Sequence, residues 1–289
     1  MTILGAKQHI IQAIQSVYEE REAGNIAVLL IEHFTGLSKM NQFLEKDKLW
    51  PENLTEPLNI AVIRLQKGEP IQYIMGKTWF YGLELKVNQH TLIPRPETEE
   101  LVELVIRYLS TLPIHHPRIL EVGTGSGCIS LAVASRLPNA IITAIDISKE
   151  ALNVAEENAR KIKHNIQFKQ FDFLNKSNRA SLGQFDIVIS NPPYIKQTEA
   201  SSMHTNVLAY EPHTALFVAD KDPLIFYRAI AEFSKEYLNK PGAIFVEINE
   251  QLGKETKAVF ETNYSVALQK DMQGKERMIA AYQLQEIND

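Results

Sequence analysis

With 289 residues, 45% of them hydrophobic and 22% charged, the chain is long and apolar enough to bury one large core or two smaller ones, which excludes disorder along its length. Its formal net charge of -5, from 30 basic and 35 acidic residues, disfavours a protein that tracks a long phosphate backbone. The single cysteine, Cys128, excludes a disulfide framework and fits a reducing compartment; the first residues lack the basic region and long apolar run of a leader or a membrane span, so a cytoplasmic location is expected.

In chain order, Ile3, Ile10, Ile14, Val17 and Tyr18 recur at helical spacing and predict a helix over 3–21, followed by helices over 27–34 and 40–47. A fourth begins at Thr55-Glu56-Pro57 and stops before Gly68. Residues 1–70 thus form a small all-α unit with no cluster of ionisable residues at site-like spacing. Aromatic and β-branched residues around Gly82 predict a hairpin within a linker over 71–92. In Ile93-Pro94-Arg95-Pro96-Glu97-Thr98, Thr98 is the expected N-cap of the next helix, and Arg95 and Glu97 read as solvent-facing turn charges held by the prolines.

The larger domain, 93–289, alternates strands and helices. Strand 118–122 runs into Glu121-Val122-Gly123-Thr124-Gly125-Ser126-Gly127 and then an amphipathic helix, a strand, Gly-rich turn and helix in immediate succession. A second strand over 140–147 ends at Asp146, placed to bind the two hydroxyls of a ribose. No Gly-Lys-Ser/Thr follows the loop, and Glu121 beside it would repel pyrophosphate but suits the ammonium of an amino-acid-like cofactor, which favours S-adenosylmethionine over NAD. A third strand, 166–171, ends in Asp172-Phe173, an acidic residue beside an aromatic able to cover an adenine ring.

The fourth strand, 185–190, delivers Asn191-Pro192-Pro193-Tyr194 to the same carboxyl edge, where ligands bind in open α/β sheets. Two consecutive prolines remove two N–H donors and hold the chain extended, leaving carbonyls to accept from a ligand. With the Asn191 amide oxygen and the Tyr194 ring, the stretch can grip any planar group bearing two N–H bonds, whether a base or an amide. The tail continues as helix 225–238, strand 242–247, helix 251–261 and strands 264–270 and 277–282. The last two are too close in sequence for a parallel crossover, so they form an antiparallel hairpin. Cys128 reads as a small buried filler, and the eight histidines show no metal-ligand clustering.

On Gln72-Tyr73-Ile74 with Gly76, Phe80-Tyr81-Gly82-Leu83, Ile93 through Glu99, Glu121 through Gly127, Asp146, Asp172-Phe173 and Asn191 through Ile195, the chain resembles the release factor glutamine methyltransferases (the HemK/PrmC family) of the class I S-adenosylmethionine-dependent methyltransferases. The resemblance implies an α/β fold: a seven-stranded, mostly parallel Rossmann-like methyltransferase sheet with a small all-α N-terminal domain and a β-hairpin linker. It implies methyl transfer from S-adenosylmethionine, without a metal, to the side-chain amide nitrogen of the glutamine in the Gly-Gly-Gln motif of peptide chain release factors 1 and 2. It further implies a cofactor site of Glu121, Gly123, Thr124, Gly125, Ser126, Gly127, Asp146, Ile147, Asp172, Phe173 and Asn191. By the same resemblance, Asn191, Pro192, Pro193, Tyr194 and Arg95 are expected to hold the substrate, with Asn191, Pro192 and Tyr194 catalytic. The helical domain is expected to recognise the release factor, and the enzyme to act as a monomer without membrane or direct nucleic-acid contact. The chain departs from the usual family pattern at Phe173-Leu174, at 219–224 and at Asn249. The alternatives are an exocyclic-amine methyltransferase acting on adenine or guanine, whose amine has the same planar geometry, and a non-catalytic cofactor-binding protein docking on release factors or ribosomes.

Overall fold

A computed structural model describes residues 1–283. The described chain divides into two compact units, Met1–Lys77 with His204–Tyr210, and Thr78–Met203 with the residues from Glu211 onward.

The smaller unit holds helices α1 (Ile3–Ile14), α2 (Glu20–Thr35), α3 (Lys39–Leu44), α4 (Thr55–Gln66) and α5 (Ile71–Met75). Ile3, Ile10, Ile14, Leu30, Leu58 and Leu65 supply its core. The helix expected over 3–21 ends at Ile14, and the acidic run beyond it opens α2, with Glu20 and Glu22 in the first turn. Carboxylates favour the positive end of a helix dipole, so this charge run marks a start and not an end.

The larger unit opens with the hairpin of β1 (Lys77–Phe80) and β2 (Leu83–Lys86). Here the expected 71–92 linker is divided: α5 belongs with the helical unit, whereas Phe80 and Leu85 are buried in the core of the larger one. Both backbone groups of Lys86 bond to Asn158, whose Nδ2 also donates to the Ser126 carbonyl at 2.9 Å, so one buried amide ties the hairpin to the glycine loop.

Next in the chain come α6 (Pro96–Leu109), β3 (Arg118–Val122), α7 (Cys128–Arg136), β4 (Ile141–Asp146), α8 (Lys149–Ile162), β5 (Gln167–Gln170), β6 (Phe185–Ser190), β7 (Ile195–Lys196), α9 (Thr205–Tyr210), which groups with the smaller unit, then α10 (His213–Leu216) and β8 (Phe217–Val218). The chain finishes with α11 (Ile225–Tyr237), β9 (Leu238–Glu247), α12 (Gly253–Glu261), β10 (Tyr264–Lys270) and β11 (Glu276–Gln283). Seven strands pair in the order β10-β11-β9-β6-β3-β4-β5; β11 is antiparallel to β10, as the short connection between them requires, and also to β9. Helices cover both faces, which is why the central strands read as unbroken apolar runs. Along β9, Ala243 and Phe245 enter one core while Ile244 and Val246 enter the other. The small parallel pair β7 with β8 was not foreseen, since two residues carry no periodic signal.

Candidate active site

Four parallel strands, β3 to β6, end at one edge, and there a cleft is bordered by the glycine loop, the ends of β4 and β5, the segment before α6 and the start of the Asn-Pro-Pro-Tyr stretch. Of the residues singled out from the sequence, the cleft brings together Arg95, Glu121, Gly123, Thr124, Gly125, Ser126, Asp146, Ile147, Asp172, Phe173, Asn191 and Pro193. Gly127, Pro192 and Tyr194 are not on its wall.

The glycine loop is shaped by close approach. Gly127 has φ of 80°, and a Cβ there would meet the Ala155 Cβ of α8 at 3.1 Å, so a side chain would push the loop off the helix. Asp146 fixes the same loop from the side: its Oδ2 accepts from the Gly125 N–H and its Oδ1 from the Ser148 N–H, each at 2.9 Å. Burial raises its pKa, opposed by these bonds. Each carboxylate oxygen retains a second lone pair for a ligand hydroxyl.

Glu121 is fully buried. Its Oε2 accepts from the Thr124 hydroxyl at 2.7 Å and from both the N–H and hydroxyl of Ser130, whereas Oε1 is buried with no hydrogen-bond partner among the described residues. Desolvation pushes its pKa up to about 7 despite the bonds from Ser130 and Thr124. An orphaned carboxylate oxygen beside a glycine loop is an acceptor awaiting a cation, and it fits an ammonium group. Cys128 borders the cleft, but burial pushes its thiol up to about 12, which disarms it as a nucleophile.

Phe173 is 4% exposed. Its ring meets Phe233 edge-on at 5.5 Å, and the Arg179 guanidinium lies over it at 4.9 Å while donating from Nε to the Phe173 carbonyl at 2.8 Å. Asp172 is exposed and caps its own turn through the Leu174 N–H.

At the substrate side, Asn191 Nδ2 donates to Thr98 Oγ1 at 3.2 Å. Thr98 is not the N-cap expected of it. Helix α6 begins at Pro96, because a proline at the first position forgoes an N–H that the helix could not have used, and Thr98 lies inside the first turn with its hydroxyl donating to Glu247 Oε2 at 2.6 Å. Tyr194 also differs from expectation. Its hydroxyl donates to Glu247 Oε1 at 3.0 Å and its ring packs on the core, so it anchors the tetrapeptide from behind; burial, with Glu247 nearby, raises its pKa. Glu247 is itself raised by burial, opposed by the Thr98 and Tyr194 bonds and by the Arg277 charge.

Arg95 is not a free turn charge. Its Nη2 donates to Glu211 Oε1 at 2.6 Å, and Glu211 Oε2 accepts from the Ile93 N–H at 3.2 Å, so the pair clamps the Pro-rich approach to α6 against the chain before α10. Thr98 (as a donor), Glu247 and Glu211 were missed as site residues because each is read from sequence as a local helix, strand or turn residue; their partners lie between 93 and 149 positions away. Among the described residues no group of three or more His, Cys, Asp or Glu is placed to hold a metal ion.

Residues 102–273 match the family model of the methyltransferase small domain, and residues 6–76 that of the PrmC N-terminal domain. The release factor glutamine methyltransferase of Flavobacterium psychrophilum is 40% identical over 282 residues, covering 96% of this chain and 98% of the relative. That of Bacteroides thetaiotaomicron is 37% identical over 94% of this chain and 97% of its own length. That of Streptococcus pneumoniae is 43% identical over 75% of this chain and 76% of its own.

Proposed function

The chain belongs to the release factor glutamine methyltransferase family, and from that premise we propose that the cleft transfers a methyl group from S-adenosylmethionine to the side-chain amide nitrogen (N5) of the glutamine in the Gly-Gly-Gln motif of peptide chain release factors 1 and 2. The observation that carries this reading is convergence. One cleft holds the orphaned Glu121 oxygen, the loop-bracing Asp146 and an asparagine whose nitrogen is already committed to Thr98, so that its oxygen remains for a ligand.

Glu121 Oε1 would hold the ammonium of the cofactor, the glycine loop its methionine moiety, Asp146 its ribose hydroxyls and Phe173 its adenine. When bound, the cofactor supplies an electrophilic methyl on a sulfonium. An amide nitrogen is a weak nucleophile because its lone pair is delocalised into the carbonyl, so the enzyme must hold it in line and stabilise the positive charge it acquires. Asn191 Oδ1 and the Pro192 carbonyl accept its two N–H bonds. Tyr194 keeps the tetrapeptide seated through Glu247. No strong base is needed beforehand, since the proton becomes acidic only as the new bond forms. The helical unit recognises the body of the release factor, and the enzyme works as a cytoplasmic monomer.

Labelled S-adenosylmethionine tests this directly. Label is expected in release factors 1 and 2, and not in a release factor whose motif glutamine is substituted or in bulk RNA or DNA. Label in nucleic acid alone overturns the reading.

A further inference from the structure

Which way a planar amide faces is set by its hydrogen bonds, because its oxygen only accepts and its nitrogen only donates. Asn191 borders the cleft with Nδ2 donating to Thr98 Oγ1 at 3.2 Å. Thr98, 2% exposed, has a single hydroxyl proton, and it goes to Glu247 Oε2 at 2.6 Å. Glu247, 1% exposed, has its other oxygen taken by the Tyr194 hydroxyl at 3.0 Å. Both Glu247 oxygens accept from hydroxyls, so the Thr98 proton points to Glu247 and the Thr98 lone pairs face Asn191. The Asn191 nitrogen must then turn toward Thr98, and its oxygen toward the cleft. With the Thr98 proton pointing to Asn191 instead, the asparagine oxygen would turn toward Thr98 and an N–H would face the substrate amide, where a donor would meet a donor.

We propose that Thr98 and Glu247 are positioning residues that fix the polarity of the Asn191 amide, Glu247 orienting Thr98 and Thr98 orienting Asn191. This rests on the reading above, in which Asn191 Oδ1 accepts an N–H of the substrate glutamine. The row also gives the carboxylate buried at the end of β9 its role: each of its two oxygens accepts from a hydroxyl that holds the site, Thr98 behind Asn191 and Tyr194 behind the Pro-Pro turn.

The test compares Thr98→Val, which removes both the proton and the lone pairs at nearly constant volume, with Thr98→Ser, which keeps them. On an intact release factor, Thr98→Val is expected to lower kcat roughly 10- to 100-fold with cofactor Kd unchanged within about twofold, and Thr98→Ser to recover to within about threefold of wild type. A second readout needs no substrate. The Asn191 side-chain amide signal in a ¹⁵N spectrum, assigned by its loss in Asn191→Ala, is expected to be shielded from solvent exchange in wild type and in Thr98→Ser, and to lose that shielding in Thr98→Val. Wild-type kcat in Thr98→Val, equal losses in the Ser and Val variants, or weakened cofactor binding in Thr98→Val would each overturn the proposal, the last by assigning Thr98 to the scaffold of the cleft. A wild-type protein inactive on release factors that still shows Thr98-dependent shielding would overturn the catalytic reading while supporting the positioning.

Discussion

Burial without a cationic partner moves the ionisation of Glu121 from 4.5 to about 7. Between those values the folded, cofactor-free protein holds a proton that the unfolded chain has lost, so this group's contribution to stability is fully present below pH 4.5 and is lost as pH rises through about 7. Cofactor binding runs the other way, because an ammonium pairs with the ionised form. Affinity measured by calorimetry is therefore expected to tighten as pH rises through about 7, and Glu121→Gln to bind more weakly with a flatter profile. A wild-type profile as flat as the variant's would remove Glu121 from the ammonium site. Asn191→Ala is expected to cut kcat roughly 10²-fold with cofactor affinity nearly unchanged, the size seen when one transition-state polar contact is removed. Asp146→Ala should instead show its loss in cofactor affinity by calorimetry, and some thermal stability with it, since the carboxylate also braces the Gly125 and Ser148 N–H groups.

At the scale of elements, the segment before α6 is held by one ion pair of unequal burial: the Glu211 side chain is 1% exposed and that of Arg95 32%. Removing the arginine leaves a buried carboxylate without its cation, held by the Ile93 N–H. Arg95→Ala should cost about 2 kcal/mol in chemical denaturation, and adding Glu211→Gln should recover part of it. Asn249, one of the departures from the family pattern, likewise has a structural occupation. Its Nδ2 reaches the Tyr194 carbonyl and the Glu199 carboxylate, and its Oδ1 accepts from the Gln251 N–H at 2.9 Å, closing the turn after β9. Asp220, in a second departing stretch, accepts from the Thr198 N–H at 3.1 Å. These two departures thus fall on residues that tie down the short segment after the tetrapeptide, and neither enters the cleft wall, whereas the third, Phe173-Leu174, borders it.

For the whole molecule, the helical unit leaves Met40, Phe43, Leu44 and Leu49 at 66%, 71%, 70% and 75% exposure, on and just beyond α3. Met40, Phe43 and Leu44 recur at the spacing of one helix face, so they form one exposed apolar stripe of the kind that suits contact with another macromolecule. If the unit reads the body of the release factor, Phe43→Ser with Leu44→Ser should raise KM for the intact factor while leaving turnover of a short Gly-Gly-Gln peptide unchanged, with thermal stability little altered because neither side chain lies in the core. An equal effect on both substrates would place recognition elsewhere.

Periodicity and turn chemistry are local signals, and what they encode was legible in the sequence: the four strand ends, the glycine loop, Asp146, the antiparallel last hairpin and most helices of both units. The apolar runs of β3, β4 and β6 are strong because both faces are covered, so no polar alternation dilutes them. What the tertiary structure alone decided is how the residues at those ends are spent. Thr98, read as a cap, is a link between Asn191 and Glu247; Arg95, read as a solvent charge, is half of a clamp; Tyr194, read as a wall of the site, supports it from behind. The physical reason is common to all three. A hydroxyl or a guanidinium carries the same donors wherever it stands, and only the partner that folding brings within 3 Å or so determines which proton goes where.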